Sequence, residues 1–468
     1  MQPISRRQAL QAATAFTIIP ARLVRGYTAN SKLNIGVVGL AGMGGVDAKT
    51  FRDLGENVVA ICDVDSTVLD RRQKEHPGAQ RYTDFRKMIE AEKLDAVSVA
   101  TPDHNHAYIS VYAMKHRLHV YCQKPLCKSI HEARIMARVA AETKLITQMG
   151  TQTSAEPSVL RSVEYIQSGA IGDIKEVHVA TDRPIWPQGH DRLTTEDPVP
   201  ATLDWDLWLG TAAVRPYQAK WPQGHAVYSP ERKKQYAAGG AVYHPFVWRG
   251  IPEFGSGALG DIAPHSMNAI FMALSPGVPT LIEVLETSGM KKDMFPDWST
   301  LRFEFAARGN KPKLFVYWYD GNQSLPQHLQ PRRDPAAAGG PLRGGQGGMV
   351  WIGTKGSYPA KRGPFAEDTS EAPPPPAPRD WGREEVHKDW VLAVKAGKQA
   401  PCHFGYAGPF TEAFQLGNVA LRTGHRIEWD AKAFRVTNCH EANQYLRREY
   451  RRGWDLKEIA GKSWRTAG

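Results

Sequence analysis

Asn34-Ile35-Gly36-Val37-Val38-Gly39-Leu40-Ala41-Gly42-Met43-Gly44 is the stretch on which the fold turns. A short apolar strand runs into the glycine spacing Gly39-x-Ala41-x-x-Gly44, and residues 44–54 can then form a helix. In such a strand–turn–helix crossover the glycines let the backbone approach a pyrophosphate, and the N–H groups at the helix start hold its charge. Gly39, Ala41, Gly42, Met43 and Gly44 are therefore candidate cofactor-binding residues, with Ala41 standing at the middle glycine position. The next apolar strand, 57–62, ends in Asp63, 24 residues after Gly39. An acid there accepts hydrogen bonds from ribose hydroxyls and repels a 2′-phosphate, so NAD is favoured over NADP.

Strands and helices continue to alternate outward from this unit to about residue 150. Helices are expected over 84–92, 107–115 and 130–143, with strands over 96–100, 119–122 and 145–149. This alternation implies a parallel sheet covered on both faces by helices. Ligands of such sheets bind at the carboxyl ends of the strands. Thr101-Pro102, His104 and His106 follow one strand end, and Gln123-Lys124-Pro125 follows the next; with Gln152 beyond the last strand, they complete the candidate cofactor set. Lys124, held extended or cis before a proline, projects toward the nicotinamide end.

Beyond residue 150 the texture changes. A helix is expected over 158–168 and a strand over 173–179, and residues 182–255 are rich in Trp, Pro, Gly, His and Tyr without periodicity. Loops of that kind wall pockets. Strands over 282–287, 299–306 and 313–318 give a second, antiparallel or mixed sheet. Stretches 322–348 and 364–380 are rich in Gly and Pro, and helices return over 385–396 and 411–423. The expected organisation is thus an α/β chain with an N-terminal segment (1–30), a Rossmann domain (31–153) and a C-terminal α/β domain with an open, mainly antiparallel sheet (154–468).

Gly260-Asp261-Ile262-Ala263-Pro264-His265 supplies the other half of a site. Asp261 and His265, four apart on an expected helix (261–274), share one face. Removing a hydride from a carbinol carbon requires that the hydroxyl proton leave as well, and a neutral imidazole suits that task. His265 is the expected base, supported by Asp261, with Lys124 stabilising the oxygen; Lys124 as base is the alternative. Sugar-like ligands want hydrogen-bond donors beside flat apolar faces. Trp186, His190, Trp221, His225, Tyr243, His244, Trp248 and Arg249 form such a set, from which Trp248, Arg249 and His190 are selected as substrate residues.

The 468 residues suit two or three domains, and 42% hydrophobic with 23% charged residues marks a globular chain. Four of the +11 net charges are Arg6, Arg7, Arg22 and Arg25, in the N-terminal segment. Ser5-Arg6-Arg7-Gln8-Ala9-Leu10, followed by a modest apolar run to Ala21, has the pattern of a twin-arginine export signal. The expectation is a periplasmic protein that engages the Tat translocon, without stable membrane insertion. No basic module interleaved with stacking aromatics suggests nucleic acid. Five cysteines (Cys62, Cys122, Cys127, Cys402 and Cys439) suit neither a disulfide framework nor a zinc site, and no metal is expected.

Together with Leu416-Gly417-Asn418-Val419-Ala420-Leu421 and Trp429-Asp430, these motifs resemble the Gfo/Idh/MocA oxidoreductases, from residue 34 to about the end. The resemblance implies sugar, cyclitol or related substrates, the roles given above for Lys124, Asp261 and His265, and a homo-oligomer, dimer or tetramer, formed through the open sheet. The family usually has Glu-Lys-Pro where this chain has Gln123-Lys124-Pro125. Export to a compartment without a nicotinamide pool implies a tightly held NAD. Two alternatives to sugar oxidoreduction are an NAD-dependent glycoside hydrolase acting through a keto-sugar and a non-catalytic carbohydrate sensor, the latter favoured by Gln123.

Overall fold

The computed structural model describes residues 31–230, 240–321, 323, 325–329, 348–360, 380, 382 and 385–467. The twin-arginine segment and most of the two late Gly/Pro-rich stretches lie outside them. The first half is β1 (Asn34–Val38), α1 (Met43–Asp53), β2 (Asn57–Cys62), α2 (Ser66–Glu75), β3 (Gln80–Tyr82), α3 (Phe85–Ala91), β4 (Ala96–Val99), α4 (Asp103–Lys115), β5 (His119–Gln123), α5 (Ile130–Thr143) and β6 (Thr147–Gly150). The strand order is β3-β2-β1-β4-β5-β6, and every pair is parallel. The strand order reverses between β1 and β4, which opens a crevice at their carboxyl ends.

Local chemistry sets the boundaries. Ser129 and Glu132 form a reciprocal capping box that starts α5 where its apolar spacing begins. The sequence reading omits α2 and β3. Helix α2 buries only Val68 and Leu69, and it is started by the Asp65 side chain accepting from Thr67 N–H rather than by an apolar stripe. Strand β3 has three residues and none is buried.

The second half adds α6 (Pro157–Gln167), β7 (Ile174–Ala180), α7 (Trp205–Leu209), α8 (Gly257–Ser266), α9 (Asn268–Leu274), β8 (Leu281–Thr287), β9 (Ser299–Phe305), β10 (Leu314–Tyr319), β11 (Met349–Gly353), β12 (Ser357–Ala360), α10 (Val386–Ala396), α11 (Phe404–Thr423), β13 (Ile427–Asp430), β14 (Arg435–Val436) and α12 (Leu456–Ala460). Its sheet runs β12-β11-β7-β10-β9-β8-β13-β14. Only β7 and β10 pair in parallel, so the sheet is mixed and mostly antiparallel. The helix expected over 261–274 is two helices that meet at Met267, and the first begins four residues earlier. Pro264 inside α8 supplies no N–H to the ladder, which weakens the helix near the break.

One apolar cluster joins the sheets: Val97 and Met136 of the first half and Phe414, Phe303 and Trp318 of the second belong to it. A separate cluster carries the chain back to the first sheet. Trp390, Val391 and Val394 of α10 pack with Ile35, Phe51 and Ile61, so the first core is completed by residues far beyond position 153. The stretch expected as loops (182–255) has an aromatic core of its own, with Trp208, Trp221, Tyr243, Trp248 and Phe254 all buried. It folds back on the end of β2, where Ser66 N–H donates to Thr202 O (2.8 Å) and Asp204 N–H to Val64 O (2.9 Å). All five cysteines are free thiols, four of them buried.

Behind the first sheet a buried imidazole ties α10 to α1. His387 Nε2 lies 2.9 Å from Asp47 Oδ1, and Nδ1 faces Glu385 Oε1. Two carboxylates facing the two ring nitrogens require both to donate, which makes the ring an imidazolium. Burial opposes that charge, but Asp47 and Glu385 outweigh it and raise the pKa to about 9. The sign follows from linkage: the extra stability is complete below the ordinary histidine value and is lost as pH rises through about 9. Thermal unfolding of the wild type between pH ~6 and ~10 is expected to show a falling midpoint in the alkaline half, and His387→Gln should start lower and flatten that fall.

Candidate functional site

The glycine turn is built as a cradle. Gly39 has φ +82, and its N–H donates to Cys62 O at 2.8 Å. A Cβ at Gly44 would stand 1.6 Å from Gly39 O, so the third glycine permits the turn to lie on α1. Gly44 acts from beneath, whereas Gly39, Ala41, Gly42 and Met43 line a cavity of about 530 Å³. No side chain caps α1 at Gly42, and a Cβ there would meet nothing within 4 Å. An uncapped helix start under open backbone is a site for phosphate.

Asp63 lines the same cavity at the end of β2. Its carboxylate accepts from Leu40 N–H (2.6 Å) and Asp65 N–H (3.0 Å), which ties the acid to the turn. Burial raises its pKa, against the lowering effect of those two N–H groups. Thr101, Pro102, His106, Gln123 and Gln152 also line the cavity. Both His106 nitrogens face backbone carbonyls, Pro125 O at 2.8 Å and Thr101 O at 2.7 Å, so this ring fixes the two strand ends that border the site.

The structure does not bring His104 there. His104 is fully buried beside the aromatic core of residues 182–255, with its ring nitrogens 3.3 Å from Phe254 O and 3.1 Å from Trp208 O. Burial, helped by Arg448, holds its pKa down to about 3, so it is a neutral rivet between α4 and that segment. His190 is likewise outside the cavity and packs against Trp221 and His225. Both rings fill apolar interfaces, and sequence gives no means to separate such histidines from ligand-facing ones.

The reactive end draws on both halves of the chain. Lys124, at the end of β5, donates from Nζ to Asp261 Oδ1 and to Asp261 O, each at 2.9 Å. Arg249 Nε donates to the same Oδ1 at 2.9 Å. Burial would raise the Asp261 pKa, but Lys124 and Arg249 together hold it well below the usual carboxylate range. The carboxylate expected to support His265 thus serves two cations. His265 lines the cavity one turn further along α8, with Nδ1 3.5 Å from Thr151 Oγ1. The Arg249 guanidinium lies 4.3 Å over the Phe246 and Trp248 rings, which hold it in place. Trp248 and Arg249 both line the cavity, as do Trp186 and His244.

Asp103 has no role in the sequence reading, yet it belongs to the site. It opens α4, is 3% exposed and lines the cavity beside Arg249, Asp261 and Lys124. Burial raises its pKa to about 7, and Asp261 adds to the rise, more than Arg249, Ser256 and Lys124 lower it. Its pairing of a first-turn position with a location at the sheet's carboxyl edge was the available signal. The other missed wall is Trp454, from the region before α12, which lines the cavity near Phe85.

The cradle, the acid at the second strand end and the open volume fit a dinucleotide. Residues 33–151 match the family model for the oxidoreductase family with NAD-binding Rossmann fold, GFO_IDH_MocA. That match spans the six parallel strands and about a quarter of the chain. Over 150 residues the chain is 34% identical to an inositol 2-dehydrogenase of Rubrobacter xylanophilus, covering 31% of this chain and 42% of that one, so less than half of that relative's length is matched. It is 25% identical over 267 residues to a myo-inositol 2-dehydrogenase of Thermotoga maritima, covering 55% and 74%. The WlbA dehydrogenase of Bordetella pertussis, solved with NADH and UDP-GlcNAcA, shares the fold: TM-score 0.57, 16% identity, 86% of this chain and 99% of that one.

The Asp103 carboxyl yields a test that needs no substrate. A carboxyl whose pKa is raised on folding costs stability that grows between the ordinary aspartate value and about 7, then stays constant. Asp103→Asn should therefore raise the unfolding midpoint at pH ~8 by several degrees and change it little at pH ~4. An unchanged midpoint at the higher pH would show that the buried carboxyl is not held at a cost.

Proposed function

We propose that this protein is an NAD-dependent oxidoreductase acting on a CH–OH group of a sugar, cyclitol or derivative, with the dinucleotide held tightly. The carrying observation is the convergence of Lys124, Asp261, Arg249, Asp103 and His265 on the cavity that begins at the glycine turn. When bound, NAD supplies the hydride acceptor. The chain's own residues manage the substrate oxygen and its proton. Lys124 spends two donors on Asp261, which leaves a third for the carbinol oxygen. His265, on the same cavity wall, takes the hydroxyl proton. Arg249, pinned between Asp261 and two aromatic rings, presents the rest of its guanidinium to the substrate's other hydroxyls.

Asp63, with Asp65 nearby and Asp84 on the cavity wall, disfavours a 2′-phosphate and supports NAD over NADP. Tight retention is supported by the segment that crosses the end of β2 through Thr202 and Asp204, and by the Trp208 and Trp454 walls. Export through the Tat translocon to the periplasm, read from residues 5–21, and a homo-oligomer are parts of the same proposal. Gln123 favours a non-catalytic sensor on sequence grounds, but its contact with Asp47 accounts for that residue otherwise.

Two measurements test the reading. Protein purified without added cofactor and then denatured should release nicotinamide dinucleotide in near-stoichiometric amount by mass spectrometry; turnover only with added NAD would remove the tight-cofactor part. Scored by nicotinamide absorbance against a panel of sugars, cyclitols and glycosides, Lys124→Ala and His265→Ala should abolish reduction while NAD stays bound. Retained turnover in either variant removes that residue's role, and aglycone release without net reduction would select glycoside cleavage.

A further inference from the structure

Gln123 stands beside Lys124 at the end of β5, and its contact explains why it is an amide. Gln123 Nε2 donates to Asp47 Oδ1 at 2.8 Å. Asp47, on α1, is fully buried and also accepts from Ser98 Oγ (3.0 Å, to Oδ2) and faces His387 Nε2. Gln123 Oε1 is buried with no donor among the described residues. The amide is therefore held for the hydrogen it donates rather than for its oxygen. A carboxylate at position 123 would face the Asp47 carboxylate at this separation, with the nearby cation, His387, already shared between Asp47 and Glu385.

The residue after Lys124 is fixed as well. His106 bonds Pro125 O and Thr101 O, so the Lys124 backbone is pinned on both sides, by Asp47 through the Gln123 side chain and by His106 through the Pro125 carbonyl. Asp47 is one turn into the helix whose start forms the phosphate cradle. The same carboxylate thus registers the cradle against the reactive lysine.

We propose that Asp47 and Gln123 form one positioning unit, in which a single carboxylate carried by α1 fixes the Lys124 turn against the dinucleotide cradle and excludes a second carboxylate at position 123. The proposal rests on the reading of the cavity as a dinucleotide site. It makes Gln123 the hydrogen-bond partner that Asp47 requires and not a sign of lost chemistry. Neither residue is a catalytic one; both act through Lys124 and the cradle.

A double-mutant cycle tests it on the full chain, with thermal unfolding and NADH fluorescence titration of protein stripped of any endogenous cofactor. Gln123→Glu alone should lower the unfolding midpoint and weaken NADH binding about tenfold, and Asp47→Asn alone should also lower both; the two losses should not add in the double variant, as expected of groups in contact. Asp47→Asn combined with Gln123→Glu moves the charge from α1 to the strand end without changing its total. In that double variant the amide nitrogen on α1, at the place of Oδ1, can donate one hydrogen to the new carboxylate on β5 and the other to Nε2 of a neutral His387, while its oxygen accepts from Ser98 Oγ. Midpoint and NADH affinity should then return close to wild type. The proposal is overturned if Gln123→Glu leaves both readouts unchanged, if the double variant is no better than Gln123→Glu alone, or if only the midpoint recovers. Wild-type protein that binds no NADH at all would instead remove the dinucleotide reading on which the proposal rests.

Discussion

The interaction on which the arrangement depends is the ion triad at Asp261. One carboxylate oxygen, on a helix of the second half, receives a lysine from the end of β5 and an arginine from the segment that precedes α8. Buried ion pairs add little net stability, because desolvation offsets their attraction. What they supply is placement. A lysine of the first half and an arginine and carboxylate of the second are brought to one point, and the cavity keeps this end only while that point holds.

The rest of the structure serves that placement from two sides. The crevice at the reversal of strand order fixes where a dinucleotide can lie, and the glycine turn lets its phosphates approach. The segment 182–255 brings Trp186, His244, Trp248 and Arg249 to the opposite wall. That segment keeps its shape through its own aromatic cluster and through rivets such as His104. A raised carboxyl at Asp103, at the start of α4, faces the same cavity from the first half, and a buried acid held against its charge is a common mark of sites that act rather than hold.

Much of this was legible in the chain. The alternation from β1 to β6, the turn at Gly39 and the acid at Asp63 follow from residue type and spacing, whereas the direct contact of Lys124 with Asp261 across 137 residues does not. Each depends on local rules: apolar periodicity, glycine at a close approach, charge at a strand end. What stayed hidden depends on long-range packing. His104 and His106 stand two apart in one motif, yet one faces an apolar segment and the other the cavity border, and only the fold separates them. Asp261 and His265 share a helix face, which suggests a pair, whereas the Asp261 oxygen is engaged by cations from elsewhere. The short strands β11 to β14 carry too few residues for periodicity to register.

The return of α10 has a consequence for how the chain can be divided. Trp390, Val391 and Val394 fill a hollow between Ile35, Phe51 and Ile61, and Lys395 reaches back to Glu56. A nascent polypeptide stopped near residue 153 would carry all six parallel strands and still show water an open socket beside Phe51 of α1. The dinucleotide module is therefore finished late in synthesis. It is a unit of architecture that cannot be excised as a unit of sequence.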